Sequence, residues 1–188
     1  MTTSKEQNRV ERVFVAVDVM NLWYSGRDHL GSDVRVHYGK LKDLIRNRKL
    51  GSIPRALRLI AYTISTENHN TKFIETLQKA GYEVRNRNIQ REKGLDKPFA
   101  SDWDVGIAVD AIKFIDDYDT FSLVSGDGDY AILLDELQQR NKYVEVITFK
   151  ETASRLLHTS ANRVIHLTDN EIFRRDYTVG EPNSQKPR

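Results

Sequence analysis

The sequence predicts a three-layer α/β/α fold built on a central, mainly parallel sheet. Two observations carry this. Short β-branched apolar runs alternate along the chain with segments of helical period. Strands that alternate with helices form parallel pairs covered on both faces. No internal repeat and no shift in composition divides the 188 residues, a normal length for one domain with a sizeable core. One domain over residues 13–173 is expected, with a flexible N-terminus (1–12) and a disordered, polar tail (174–188).

Residues 12–17, Arg-Val-Phe-Val-Ala-Val, end at Asp18 and predict a buried strand. Residues 38–50 set Leu41, Leu44 and Ile45 among lysines and arginines, an amphipathic helix stopped by Gly51. A second strand is predicted over 55–64. A helix over 71–80 carries Phe73, Ile74 and Leu77, with Gly81 as its stop. Residues 82–88 alternate and suit an edge strand, and 89–101, with Gly94 and Pro98, suit a loop. Residues 102–115 are apolar on nearly every side, so this helix is expected to be mostly buried. Strands over 120–125, 143–149 and 163–167 and helices over 130–140 and 152–160 complete the pattern.

Composition narrows the function classes. Apolar residues make up 39% and charged residues 30% of the chain, which fits a soluble globular protein. No apolar run approaches the roughly 20 residues of a membrane span. The N-terminus lacks a signal peptide's apolar centre. There is no cysteine, so a disulfide framework and a thiolate zinc site are excluded. The expected compartment is the cytoplasm. Net charge is only +2, but the charges segregate. Residues 35–58 hold eight Lys or Arg and one acid, and residues 96–136 hold eleven acids and two bases. A basic lobe beside an acidic centre suits a phosphate-bearing ligand brought to a metal; the plainer alternative is solvated helix faces. The stretches 35–58 and 85–97 are expected to rim the acidic edge.

In a parallel sheet, ligands sit beyond the carboxyl ends of the strands, where the strand order reverses. Aspartates lie at those ends. Asp18 follows the first strand, with Asn21 three residues on. Asp127 and Asp129 follow another strand in Ser125-Gly-Asp-Gly-Asp129, and Asp104 opens the helix after the long loop. If the two strands are neighbours, the acids converge, and their mutual repulsion calls for a cation. Oxygen-only ligands favour Mg²⁺ or Mn²⁺ over zinc or copper. Asp18, Asp104 and Asp127 are the expected metal ligands, with Asp129 in support. Asn21 and the Ser125 hydroxyl are placed to position phosphate or water. Each residue also has a purely local reading. Ser101-x-x-Asp104 is a capping box, Asp127 an N-cap, and Asp18 and Asn21 turn residues. Asp110 is a lone carboxylate on the apolar helix, expected to support the site or to pair with a base. Trp23 and Tyr24 can stack on a base or pack in the core. Arg85, Arg87, Arg91 and Lys93 are expected beside the acidic edge, where they can hold a phosphate backbone.

Val17-Asp-Val-Met-Asn21, Trp103-Asp-Val-Gly-Ile-Ala-Val-Asp110 and Ser125-Gly-Asp-Gly-Asp-Tyr130 resemble, in this order, the three signatures of the NYN domain, and more narrowly of its LabA-like (DUF88) branch. The likeness runs from about Val13 to Leu167. It implies a PIN-like, Rossmann-like topology, a divalent-metal site and hydrolysis of RNA phosphodiesters. The family's acids fall on Asp18, Asp104, Asp127 and Asp129, its amide on Asn21, and a further acid on Asp110. Two departures are visible. Many relatives have glycine where this chain has Val19, and Lys-Gly where it has Asp102-Trp103.

The leading expectation is therefore a metal-dependent endoribonuclease. A non-catalytic RNA-binding or regulatory module would be marked by missing acids, and none is missing. A phosphatase or nucleotide hydrolase usually has a second aspartate two residues after the first, where this chain has Met20. The five histidines show no ligand spacing, and Walker and nucleophile-elbow signatures are absent. The expected partner is RNA; a homodimer is compatible with this reading, and no membrane partner is expected.

Overall fold

A strand buried on both faces has to lie at the centre of a sheet, and Glu11–Asp18 does so. Its residues 13–18 are all buried. Val13, Val15 and Val17 enter one core and Phe14 and Ala16 the other, because successive side chains of a strand leave opposite faces. The computed structural model describes residues 10–31, 34–47, 54–66, 71–89, 102–168 and 172–175. In chain order these form β1 (Glu11–Asp18), α1 (Val19–Leu30), β2 (Val34–Val36), α2 (Tyr38–Asn47), β3 (Arg55–Thr66), α3 (Thr71–Lys79), β4 (Glu83–Ile89), α4 (Asp104–Lys113), β5 (Thr120–Val124), α5 (Ala131–Gln139), β6 (Tyr143–Thr148), α6 (Arg155–Ser160), β7 (Arg163–His166) and β8 (Phe173–Arg175).

Among the described residues the main sheet has the order β4-β3-β1-β5-β6-β7, with every pairing parallel. From β1 the chain steps outward through β3 to β4. It then crosses back to β5 and steps outward through β6 to β7. The order thus reverses between β1 and β5. Helices α1, α2 and α3 cover one face with Leu22, Leu41, Ile45 and Leu77. Helices α4, α5 and α6 cover the other with Ile107, Ala111, Leu134, Leu137 and Leu157. This is the predicted three-layer α/β/α arrangement, with β4 at an edge as its alternation indicates. Gly81 follows α3 at φ 94°, a left-handed stop that glycine adopts without strain.

Several expectations change. The helix α4 is not mostly buried. Ile107 and Ala111 are, but Val105 and Val109 are 72% and 58% exposed, since a helix lying on a sheet buries only the stripe that faces it. The helix α1 was not anticipated. Nor was the antiparallel pair of β2 and β8, which carries regular structure through Arg175, past the expected start of the tail. The 89–101 loop lies outside the described residues from position 90 to 101, and so does the expected stop Gly51.

At the end of the sheet where the strands begin, a buried ion network spans four strands. The Arg55 side chain is fully buried. It donates to Glu145 at 2.8 and 3.0 Å and to Glu11 at 2.8 and 3.2 Å. The Ser122 hydroxyl donates to Glu145, and the Thr120 hydroxyl to Glu11. Arg58 pairs with Glu83 and lies over the Phe114 ring. These two arginines therefore do not rim the acidic edge, which corrects that expectation. They lie at the start of β3, and Asp18 is opposite Tyr62, seven residues or about 23 Å further along the strands. Removing one partner of a buried pair strands the other charge. Arg55→Met should cost about 3–5 kcal/mol, measured as the loss of unfolding free energy in urea; a loss below about 1 kcal/mol would show that the pair is no more than a surface bridge.

Candidate functional site

The reversal of strand order leaves a crevice beyond the carboxyl ends of β1 and β5, where neighbouring chain segments diverge to opposite faces. Asp18 ends β1 and caps α1. Its Oδ1 accepts from the Asn21 backbone N–H at 3.0 Å. After β5 the chain turns through Ser125, Gly126 and Asp127 into a short 3₁₀ turn, Gly128–Tyr130. Asp127 caps that turn, its Oδ1 accepting from the Asp129 N–H at 3.0 Å. Asp104 opens α4 next to Trp103, whose side chain makes no cap. The local capping readings of Asp18 and Asp127 are thus correct as far as they go. Each cap bond takes one carboxylate oxygen, Oδ1 in both residues.

Asp104, Asp127 and Asp129 each offer one carboxylate oxygen, and these lie within 4.8 Å of one another. This group takes in Asp129, expected only in support, and leaves out Asp18, expected as a ligand. Asp18 Oδ2 accepts from the Tyr130 hydroxyl at 3.2 Å, and the same hydroxyl lies beside the Asp104 carboxylate. Burial, and then the charges of Asp104 and Asp127, hold the Asp18 carboxyl above its ordinary value; the Asn21 N–H and the Tyr130 hydroxyl offset part of this. Asp104 is raised too, by burial first and then by Asp102, Asp127 and Asp129. The Tyr130 hydroxyl, buried beside two carboxylates, is driven far above its ordinary range and stays a donor. An oxygen-only set of this density fits a hard divalent cation.

The two glycines of the turn are there for space. A Cβ on Gly126 would meet Thr148 Oγ1 and the Thr152 carbonyl at 2.9 Å, and one on Gly128 would meet Ser154 Oγ at 2.5 Å. They let the turn press against the segment between β6 and α6. Asn21 and Ser125 face the backbone of the same turn. The Gly126 N–H donates to Asn21 Oδ1 at 2.8 Å, and the Asp127 N–H donates to the Ser125 hydroxyl at 3.2 Å. These two side chains therefore hold the Asp127 turn in place. Val19, where many relatives have glycine, is helical and buried in the core beneath α1.

The remaining predicted residues divide. Asp110 lies outside the acidic group and pairs with a base. It accepts from Arg85 Nε at 3.2 Å and from the Tyr62 hydroxyl at 3.0 Å. Arg85 also reaches Glu83, so its charge is committed within the fold. Arg87 is exposed, donates to the Asp102 carbonyl and lies 4.3 Å from the centre of the Trp103 ring. Trp103 itself is fixed, its indole N–H donating to the Thr63 carbonyl at 2.7 Å and its ring lying close over Gly106. Trp23 is partly buried and meets the half-exposed Tyr24 edge-on at 4.8 Å. Arg91 and Lys93 lie outside the described residues. A cleft lined by Arg12, Phe14, Arg58, Asp117 and Tyr118 opens at the opposite end of the strands. It gathers no set of ligating groups, so the chemistry is assigned to the acidic edge. Tyr130 is the contributor that sequence analysis passed over, although it stands inside the quoted motif. Its signal was a hydroxyl-bearing aromatic next to Asp129.

The chain is thus a three-layer α/β domain with carboxylates gathered at the switch point of its parallel sheet. The NYN domain profile matches residues 12–168. The chain belongs to the NYN domain family, whose members are nuclease-like as a group. It is 27% identical over 105 residues to the low amplitude and bright protein LabA of Synechococcus elongatus (strain ATCC 33912 / PCC 7942 / FACHB-805). That match covers 54% of this chain and 56% of LabA, so it spans about half the length of that relative. A crystal structure of a protein of unknown function from Vibrio parahaemolyticus RIMD 2210633 superposes with a TM-score of 0.72 at 31% identity, covering 86% of this chain and 96% of that one. No described helix is long and apolar enough to cross a membrane.

A carboxyl whose folded-state pKa lies above the ordinary 3.8 stabilises the fold fully below 3.8, and that contribution is lost as pH rises through the raised value. At neutral pH, ionised Asp18 is therefore a cost to the metal-free protein. Asp18→Asn keeps the cap, since asparagine caps as well as aspartate, and removes the charge. In chelator at pH 7 this variant should melt roughly 2–4 °C higher, the shift that about 1 kcal/mol gives in a domain of this size. The gap should close as pH falls towards 4. A variant that melts well below wild type at pH 7 would contradict the electrostatic assignment.

Proposed function

We propose that this protein is a metal-dependent endoribonuclease that hydrolyses phosphodiester bonds of RNA in the cytoplasm. The observation that supports this most directly is the meeting of Asp18, Asp104, Asp127 and Asp129, from three separate segments, at the point where the strand order reverses. Membership of a nuclease-like family adds to it. Asp104, Asp127 and Asp129 are the residues that would hold Mg²⁺ or Mn²⁺, with Asp18 completing the negative field. A divalent ion there supplies a water activated for attack on phosphorus and neutralises the phosphoryl oxygens.

The protein's own groups then have defined tasks. Asn21 and Ser125 hold the turn that aims Asp127. Asp110 fixes Arg85 beneath the crevice, and Arg87 lies along its β4 side, where a guanidinium suits a phosphate. Trp23 and Tyr24 on α1 offer aromatic surface for an unstacked base. This favours single-stranded RNA as substrate. A non-catalytic RNA-binding module is the alternative reading, and it differs in one measurable way: it binds RNA without cutting it.

Cleavage of single-stranded RNA should require Mg²⁺ or Mn²⁺ and stop in chelator. Asp127→Asn should reduce it by more than the roughly 10–100-fold that an outer-shell contact is worth, with the fold intact by circular dichroism. Binding of the same RNA should weaken steeply with salt, as phosphate contacts do. Full cleavage by Asp127→Asn would remove Asp127 from the chemistry.

A further inference from the structure

Resting on the metal-centre reading above, we infer that the Tyr130 hydroxyl is a positioning group: by donating to Asp18 and lying against Asp104, it fixes how these two carboxylates stand around a divalent cation bound at the acidic edge. Asp18 and Asp104 come from different elements, the end of β1 and the start of α4. Tyr130 lies between them. Its hydroxyl donates to Asp18 Oδ2 at 3.2 Å and lies beside the Asp104 carboxylate.

The geometry divides the Asp18 oxygens cleanly. Oδ1 takes the Asn21 N–H at 3.0 Å, and Oδ2 takes the Tyr130 hydroxyl. Both oxygens are therefore held, and rotation about the carboxylate is stopped. Asp104 is in a different position. It starts α4 after Trp103, whose side chain makes no cap bond, and it is more exposed than Asp18. Without the tyrosine contact its side chain is free to swing towards water.

Tyr130 is well suited to the task because it cannot follow them. It is 2% exposed, and its ring belongs to the core formed with Phe14, Ala16, Ile107 and Leu134. Two torsions fixed by packing place the hydroxyl oxygen, where a serine or lysine would move with its partners. One hydroxyl hydrogen cannot satisfy two carboxylates at full strength. The contact therefore orients them without neutralising either, which leaves the need for a cation in place. Ligand-orienting contacts of this kind are worth about 10–100-fold in metal affinity or activity.

The competing account is that the hydroxyl only satisfies buried polar groups, or blocks oxygens that an ion would otherwise use. Tyr130→Phe separates these, because phenylalanine fills the same space in the core. Mn²⁺ binding to the full chain is measured by calorimetry, alongside melting in chelator. We expect the Tyr130→Phe dissociation constant for Mn²⁺ to rise roughly 10–100-fold, while the melting temperature in chelator moves by no more than roughly 2–4 °C. RNA cleavage lost at limiting Mn²⁺ should return at excess Mn²⁺, which a purely structural defect would not allow. Mn²⁺ affinity in Tyr130→Phe equal to or tighter than wild type overturns the inference and leaves the metal-centre reading standing. Absence of Mn²⁺ binding in wild type overturns both.

Discussion

Parallel pairing brings every strand's carboxyl end to the same edge, and in this fold that edge is where like charges must be held together. The sheet supplies the placement. Asp18 lies at the end of the central strand, with β3 on one side and β5 on the other, so the turn after β5 has to pass beside it. The cost is electrostatic, and burial pushes the Asp18 and Asp104 carboxyls upward from their ordinary range. Two backbone N–H groups, one amide side chain, one serine and one tyrosine hydroxyl keep the acids in place. A site held by neutral groups of this kind keeps its negative charge, and an acidic cluster of this sort could hold a metal ion.

The division of labour between the two ends of the sheet follows the same logic. At the start of the strands, opposite charges meet: Arg55 lies between Glu11 and Glu145, and Arg163 reaches Glu145 as well. At the carboxyl edge they are not. Buried ion pairs add little net stability against an apolar equivalent but punish any loosening. Cross-bracing β3, β1, β5 and β6 at one end is therefore a means of keeping the strands in register at the other. A slip of one residue would turn Asp18 to the opposite face of the sheet.

Much of this was legible in the sequence, and the exceptions have physical causes. The central strand was plain because it is apolar on both faces. The acids were plain as a group, because several aspartates after apolar runs meet at one edge of a parallel sheet, although each of them singly also reads as a cap or a turn residue. The helix α1 was hidden because one of its packing positions is Gly26. Val19, Leu22 and Gly26 are its buried residues, but glycine carries no hydrophobic signal. The exposure of Val105 and Val109 was hidden for the opposite reason: apolar character alone does not say which side of a helix meets the sheet. The dispersal of the basic residues could not be read either. Lysine and arginine look alike in a sequence whether they lie over an aromatic ring, as Arg87 does, or end on a carboxylate, as Arg55 and Arg85 do. Tyr130 was overlooked because a tyrosine that opens a helix reads as core, and its ring is core; only its oxygen belongs to the site.

The small sheet of β2 and β8 has a consequence for the order in which the chain becomes structured. Phe173 lies against Phe149 at 5.2 Å between ring centres, and its ring lies where a side chain on Gly26 would have to go. The His37 N–H donates to the Ile172 carbonyl at 2.6 Å. The outer packing of α1, the helix that Asp18 caps and that carries Asn21, is thus completed by residues that follow β7 in the chain. During translation Asp18 emerges before them, and the helix beside it gains its full support only once β8 has followed the main sheet out of the ribosome. A nascent chain therefore carries its acids before it has the completed scaffold around them.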